Sequence, residues 1–187
     1  VSLDTTEAFL VYRGDDADWF AGRLNLAVET ARLSLPFTLM PPDEFGRRWG
    51  VEGVRVDWYT GSNRVQMAAV KDGGLWAPLV SLWHAGAGWE ATGHLLFRQR
   101  GVAAGIGWSG RVDSIIAYGE VWSLPDEGDV RYSAGASGYL GDVLWTAEFA
   151  RAPLVPGRTP PMPQAALQLS FLPTDSVSLL IDAAVAL

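Results

Sequence analysis

The chain has 187 residues, a formal net charge of −7, and 49% hydrophobic against 19% charged residues. This acidic balance, without any run of Lys or Arg, argues against a nucleic acid as partner, because phosphate binding needs a basic patch. Without cysteine there is no disulfide or thiolate chemistry, and no apolar run reaches the ~18 residues that a membrane-spanning helix needs.

Alternation with a period of two residues dominates the first half of the chain. In one segment, Val54 and Trp58 alternate with Arg55 and Asp57. Successive side chains of a β-strand point to opposite sides, so this pattern predicts a strand with one apolar and one polar face. Segments with this pattern are residues 7–13, 19–29, 51–60 and 89–99.

The same alternation continues through the second half of the chain to its last residue. Near the end, Leu167 and Leu169 alternate with Gln168 and Ser170. These segments are therefore also predicted to be strands with one apolar and one polar face. They cover residues 130–140, 143–149, 167–171 and 177–187.

Turn signals rich in Gly, Asp, Asn and Pro separate the predicted strands. Two connections are longer, namely residues 30–50 and the Pro-rich residues 152–163. At roughly 15 residues for each strand with its turn, the chain holds about twelve strands, within a range of about ten to fourteen. The prediction is a single all-β domain, residues 1–187, with antiparallel up-and-down order.

Three features favour a transmembrane barrel over a soluble one, since alternation alone fits both. Aromatic residues occur near strand ends on apolar faces, as in the girdles at membrane interfaces. The polar faces mix charged residues with Gly, Ser and Ala, which suits a crowded, wet interior. Arg is common and Lys nearly absent, and Arg pairs well with carboxylates in a confined space. The girdle candidates are Trp19, Trp58, Trp89, Trp108, Trp122 and Trp145.

Residues 7–70 resemble bacterial outer-membrane porins. The stretch EAFLVYRGDDADWFAGRLNLAV resembles a porin hairpin with an acidic turn, and SLPFTLMPPDEFGRRWGVEGVRVDWYTG resembles the Pro- and Asp-bearing loop that returns into a strand. The match covers about a third of the chain, and the chain is short beside porins of ~16–18 strands. The resemblance implies a bacterial outer-membrane location and passive diffusion of small hydrophilic solutes.

Polar residues on the predicted inward faces carry both signs of charge, which is typical of a passage that filters solutes by size and charge. Salt bridges that fill a narrow barrel would produce the same pattern, because barrels of ~8 strands fill with side chains and ~16–18 strands leave a channel. The predicted lumen-lining residues are Arg23, Asn25, Arg55, Asp57, Arg64, Gln66, Glu90, His94, Arg98, Glu120, Arg131, Glu148 and Asp182.

The long connection at residues 30–50 is a candidate constriction loop. It brings the acidic Asp43 and Glu44 close in sequence to the basic Arg47 and Arg48. Opposite charges across a narrow opening would impose a transverse field on passing solutes. A solvated outer loop with local ion pairs is the alternative for the same residues.

Other functions stay open at this level. One is a non-conducting structural or interaction barrel, a subunit of an envelope assembly with other envelope proteins or itself as partner, and another is a soluble lipid-binding barrel. A membrane-embedded hydrolase would need a nucleophile beside His84 or His94, but no Gly-x-Ser-x-Gly elbow occurs. We therefore expect no enzymatic activity, no cofactor and no metal. The barrel prediction separately implies membrane lipid as a partner.

Overall fold

The structure is a computed structural model that describes residues 8–26, 50–72, 74–125, 127–153, 161–171 and 179–186. These residues form β-strands joined mostly by short turns, as the spacing of the turn signals predicts. The strands are β1 (Ala8–Arg13), β2 (Ala17–Leu24), β3 (Val51–Thr60), β4 (Asn63–Asp72), β5 (Leu75–Gly86), β6 (Trp89–Arg98), β7 (Gly101–Val112), β8 (Ile115–Leu124), β9 (Asp129–Leu140), β10 (Val143–Pro153), β11 (Pro161–Phe171) and β12 (Leu179–Ala186).

All the strands belong to one antiparallel sheet in which each strand pairs with its neighbours in sequence. The ladders run in uninterrupted register from β1 to β12, and within the described ranges none is recorded between β12 and β1. The predicted all-β, antiparallel, up-and-down architecture is thus confirmed. The turns after odd-numbered strands lie at one edge, the odd-turn edge, and those after even-numbered strands lie at the other, the even-turn edge.

Directly paired residues on antiparallel strands point to the same side, so the continuous register defines two faces for the whole sheet. We call the face of Asp57 and Glu120, each 3% exposed, the inner face. The outer face is that of Leu82, 54% exposed, and Ile106, 67% exposed. Burial is therefore inverted relative to a soluble protein, with polar side chains enclosed and large apolar ones exposed.

The inner face is not polar along its full length. Towards the even-turn edge it carries a cluster of buried apolar side chains, against which Phe20 and Val51 pack. Each side chain of this cluster is at most 9% exposed. Its members are Leu24, Leu26, Ala68, Val70, Ala77, Leu79, Leu96, Ala103, Trp122 and Leu124.

Two details differ from the sequence-based expectations. Trp122, predicted in the outer girdle, lies on the inner face and is 1% exposed, because it shares the strand phase of Tyr118 and Glu120. The Pro-rich connection is shorter than predicted, since β11 already begins at Pro161. Proline has an extended-compatible φ and only removes one ladder donor, so it is tolerated at the first residues of a strand.

Candidate functional site

The register places eleven of the thirteen predicted lumen-lining residues on the inner face. Most are enclosed, although Glu90 near the odd-turn edge is exposed. Asp182 is placed only by its ladder partner, Gln168. The eleven are Arg55, Asp57, Arg64, Gln66, Glu90, His94, Arg98, Glu120, Arg131, Glu148 and Asp182.

Arg23 and Asn25 do not share the inner face with the other predicted lumen-lining residues. Arg23 pairs with Glu52 in the ladder and lies on the outer face, and Asn25 follows the end of β2 and is exposed. On this strand the apolar residues Phe20 and Leu24 point inward instead. Leu24 belongs to the apolar cluster of the inner face, and Phe20 packs against it. Alternation alone shows which residues share a face, and here the apolar side is the enclosed one.

The candidate constriction residues Asp43, Glu44, Arg47 and Arg48 lie outside the described residues. Their predicted role as an eyelet therefore stays a prediction. Of this connection the structure describes only Gly50, and before it the described residues end with Asn25 and Leu26 after β2.

A first polar cluster joins β3 and β4 on the inner face. The Asp57 carboxylate accepts a hydrogen bond from Gln66 Nε2 at 3.0 Å, and Arg55 Nη2 lies 3.3 Å from its other oxygen. Arg55 also stacks its guanidinium 3.8 Å from the centroid of the Phe20 ring and donates to the Asn25 carbonyl at 3.1 Å. The buried charge of Asp57 is thus compensated locally, as enclosure requires.

A second cluster surrounds His94 in the middle of β6. Its Nδ1 lies 2.9 Å from Ser81 Oγ on β5, and its ring meets Trp83 edge-on with centroids 5.4 Å apart. On the other side His94 stacks on Trp122, with centroids 5.5 Å apart and planes 12° apart. The His94 ring is thus flanked by two indole rings. The contact between Ser81 and His94 is buried on the inner face and does not lie at an open cleft.

A third cluster links strands that are not neighbours. The Tyr118 hydroxyl on β8 donates to Glu148 Oε2 on β10 at 2.9 Å, and both side chains are buried. The residue between them in the register is Gly135 of β9, whose missing side chain leaves room for the phenol ring. The contact gives the enclosed Glu148 carboxylate a strong, charge-assisted hydrogen bond.

An ion-pair network lies at the even-turn edge, next to the apolar cluster. Arg98 Nε lies 2.8 Å from Asp72 Oδ2, and its Nη1 lies 3.6 Å from Glu127 Oε1. Arg131 Nε donates to Asp129 Oδ2 at 3.0 Å. The remaining contacts join Arg131 to Glu127, and Arg151 to Asp129 and to the Val130 carbonyl. The network balances three arginines with three carboxylates.

Four members of this network were not among the predicted site residues, namely Asp72, Glu127, Asp129 and Arg151. Asp72, Glu127 and Asp129 lie next to the turns between β4 and β5 and between β8 and β9, where a polar residue is also expected for turn formation alone. The sequence signal that could have identified these three acidic residues is their position at turns after even-numbered strands. All such turns lie at one edge of the sheet, where Arg98 ends β6 and Arg131 lies near the start of β9.

The described residues contain no group of three or more His, Asp or Glu side chains placed to hold a metal ion. They also contain no helix that is long and apolar enough to cross a membrane. What the inner face offers is a set of fixed, mostly paired charges and hydroxyls. No family model, no curated protein and no solved structure matches the chain.

Proposed function

We propose that the chain forms the wall of a β-barrel inserted in a bacterial outer membrane. The observation that carries this proposal is the inverted burial of the two faces. Leu82 and Ile106 stand exposed in mid-strand, whereas Asp57, Glu120 and Glu148 are enclosed. Water-soluble monomers rarely expose apolar patches beyond a few hundred Å². Lipid accommodates such a face, and a barrel exposes it to lipid while keeping polar side chains inside.

Backbone pairing supports the same proposal. Every strand from β2 to β11 has a ladder on both sides, so among the described strands only β1 and β12 each have one edge without a partner strand. An unpaired edge in hydrocarbon costs several kcal/mol for each unsatisfied group, so membrane insertion requires these two edges to pair. Closure between β1 and β12 is therefore part of the proposal, and an even number of antiparallel strands permits it.

The outer aromatic residues also fit a membrane. Trp58, Trp89 and Trp19 are exposed on the outer face towards the odd-turn edge, and Trp76 is exposed near the even-turn edge. Indole rings favour the two interfaces of a bilayer because they join an apolar body to a polar N–H group. The outer face thus has aromatic residues towards both edges and aliphatic ones between them.

The packing of the inner face favours a filled, non-conducting barrel with a structural or interaction role. Trp122, Tyr118, Leu79 and Leu96 are at most 1% exposed, and mid-strand polar residues such as Ser81 are equally enclosed. A lumen wide enough for solutes would leave such side chains in contact with water. The apolar cluster and the ion-pair network both lie in the even-turn half of the described inner face.

Passive passage of small hydrophilic solutes is the second candidate. The observation in its favour is the row of enclosed charges of both signs, including Arg55, Asp57, Glu120 and Glu148. A barrel needs no ionised groups to fill its interior, since apolar residues would serve at lower desolvation cost. Enclosed charges are therefore expected where ions or polar solutes move.

Membrane insertion is tested by refolding the full chain into vesicles of brominated phosphatidylcholine and measuring tryptophan fluorescence. Quenching by the lipid, with weak quenching by aqueous acrylamide, is expected because Trp58, Trp89 and Trp108 are exposed on the outer face. A folded chain that stays monomeric in detergent-free buffer and is not quenched by the lipid contradicts the proposal.

Planar-bilayer recordings of the inserted chain then separate the two functions. A filled barrel gives no steady conductance at low voltage, whereas the passage candidate gives reproducible steps. In the second case, replacing Arg55 by Gln shifts ion selectivity towards cations, because it removes an enclosed positive charge. Steps that are unaffected by this change indicate a route that avoids the inner face.

A further inference from the structure

A cavity of about 300 Å³ opens on the inner face at the odd-turn edge, away from the ion-pair network. From β5 it is lined by the alternate residues Trp83 and Ala85, so it belongs to the inner face rather than to the outer one. Tyr59, Arg64 and Glu90 contribute the other large side chains of its wall. Ala85, the direct ladder partner of Glu90, has only a methyl side chain and so takes up little of the cavity.

Arg64 differs from the other inward-facing arginines of this wall. Arg55, Arg98 and Arg131 each contact a carboxylate. Within the described residues no ion pair or hydrogen bond is recorded for the Arg64 guanidinium, whose central carbon lies 3.8 Å from the centroid of the Trp83 ring. A half-buried guanidinium that is held in place by stacking and has no anionic partner is well placed to bind an anion.

Glu90 supplies the opposite charge in the same cavity. Both residues line the space, yet they form no ion pair with each other. Within the described part of the chain, the Glu90 carboxylate forms no hydrogen bond and no ion pair. A cation and an anion that face one cavity without contact match a ligand that carries both charges at a separation.

We propose that this cavity binds a small zwitterionic solute with a carboxylate at one end and an ammonium group at the other. Arg64 receives the carboxylate through its two-pronged N–H fork, and Glu90 receives the ammonium group. The hydrocarbon between the charges lies against the rings of Tyr59 and Trp83. Binding of this kind requires neither an open pore nor insertion in a membrane.

The test uses titration calorimetry of the full chain folded in detergent, with three probes of one chain length. These are 5-aminopentanoate, pentanoate and pentylamine, which carry both charges, the negative charge alone and the positive charge alone. We expect the zwitterion to bind at least about tenfold more tightly than either singly charged probe, a difference of about 1.4 kcal/mol.

Variants assign the two charges. Arg64→Gln should reduce zwitterion affinity to that of pentylamine, and Glu90→Gln should reduce it to that of pentanoate. Arg64→Lys keeps the charge without the fork and should fall between wild type and Arg64→Gln, which preserves the test if the glutamine variant folds poorly. The control is Arg111→Gln near the same edge, whose Nε donates to the Asp113 carbonyl, and its binding should not change.

Equal binding of pentanoate and 5-aminopentanoate by the wild-type chain overturns the proposal, as does unchanged zwitterion affinity in both Arg64 variants. The outcome is separable from that of the membrane proposal. A chain that inserts in vesicles but prefers no zwitterion refutes the cavity site alone. A chain that binds the zwitterion but remains monomeric in buffer refutes the membrane proposal alone.

Discussion

The indole of Trp122 lies over Gly105, its direct ladder partner on the neighbouring strand. A Cβ atom added to Gly105 would stand 2.5 Å from the indole carbons, closer than any stable contact. Because Gly105 has no side chain, Trp122 of β8 reaches across β7 to stack on His94 of β6. Tyr118 uses Gly135 in the same way, with an added Cβ 2.6 Å from its ring. Paired glycine and aromatic residues thus tie together alternate strands on the inner face.

Replacing Gly105 by Ala should destabilise the fold. The new methyl group displaces the Trp122 ring and its stack with His94, at a cost of about 1–3 kcal/mol. The measurement is the free energy of unfolding in urea of the detergent-folded chain. Gly93→Ala is the matched control, since an added Cβ there meets no atom within 4 Å, and it should change stability by only about 0.5 kcal/mol. Equal costs at the two positions would contradict the stacking argument.

Tyr118→Phe removes a donor from an enclosed carboxylate without changing the shape of the ring. The loss of the 2.9 Å hydrogen bond to Glu148 should cost about 1–3 kcal/mol of unfolding free energy. Tyr139→Phe, at an exposed position, should be neutral. If Glu148→Gln is combined with Tyr118→Phe, the two costs should be less than additive, because both changes act on one contact.

Charge on the outer face should be costly at mid-strand and tolerated at strand ends. Ile106 is central in β7 and Val112 ends it, and both are exposed on the outer face. In a bilayer Ile106→Arg should cost about 2–4 kcal/mol and Val112→Arg at most about 1 kcal/mol. The check is the unfolding free energy in vesicles. If both changes are neutral, as expected for an exposed position in water, the outer face does not contact lipid.

The Arg98–Asp72 ion pair should contribute more to the free energy of unfolding than the Lys71–Glu52 ion pair, which also involves β4. The first pair is half-buried beside the apolar cluster, whereas the second is exposed on the outer face. Double-mutant cycles of Arg98→Gln with Asp72→Asn should give a coupling of about 1–2 kcal/mol. The corresponding cycle of Lys71→Gln with Glu52→Gln should give a much smaller coupling that disappears in high salt, because both side chains are exposed to water. Similar couplings for the two pairs would show that enclosure does not strengthen the network.

Much of this architecture is readable from local patterning. The alternation of Val54 and Trp58 with Arg55 and Asp57 predicts both the strand and its two faces, because the side-chain period of a strand is two residues. The same reasoning predicts that Glu90 shares a face with His94, and Gln168 a face with Ser170. Short turns rich in Gly and Asp predict the up-and-down order, since two-residue connections join only antiparallel neighbours.

What the sequence determined by itself is the all-β architecture, the order of the strands and which residues alternate together. Only the tertiary structure decided which alternate set is enclosed, as Arg23 and Trp122 show. A single strand does not specify which of its faces turns inward, because that depends on what the other strands place opposite it. Contacts between β6 and β8, or between β8 and β10, likewise depend on side chains meeting across a glycine of the intervening strand. Such meetings arise from register between distant segments, which no local pattern encodes.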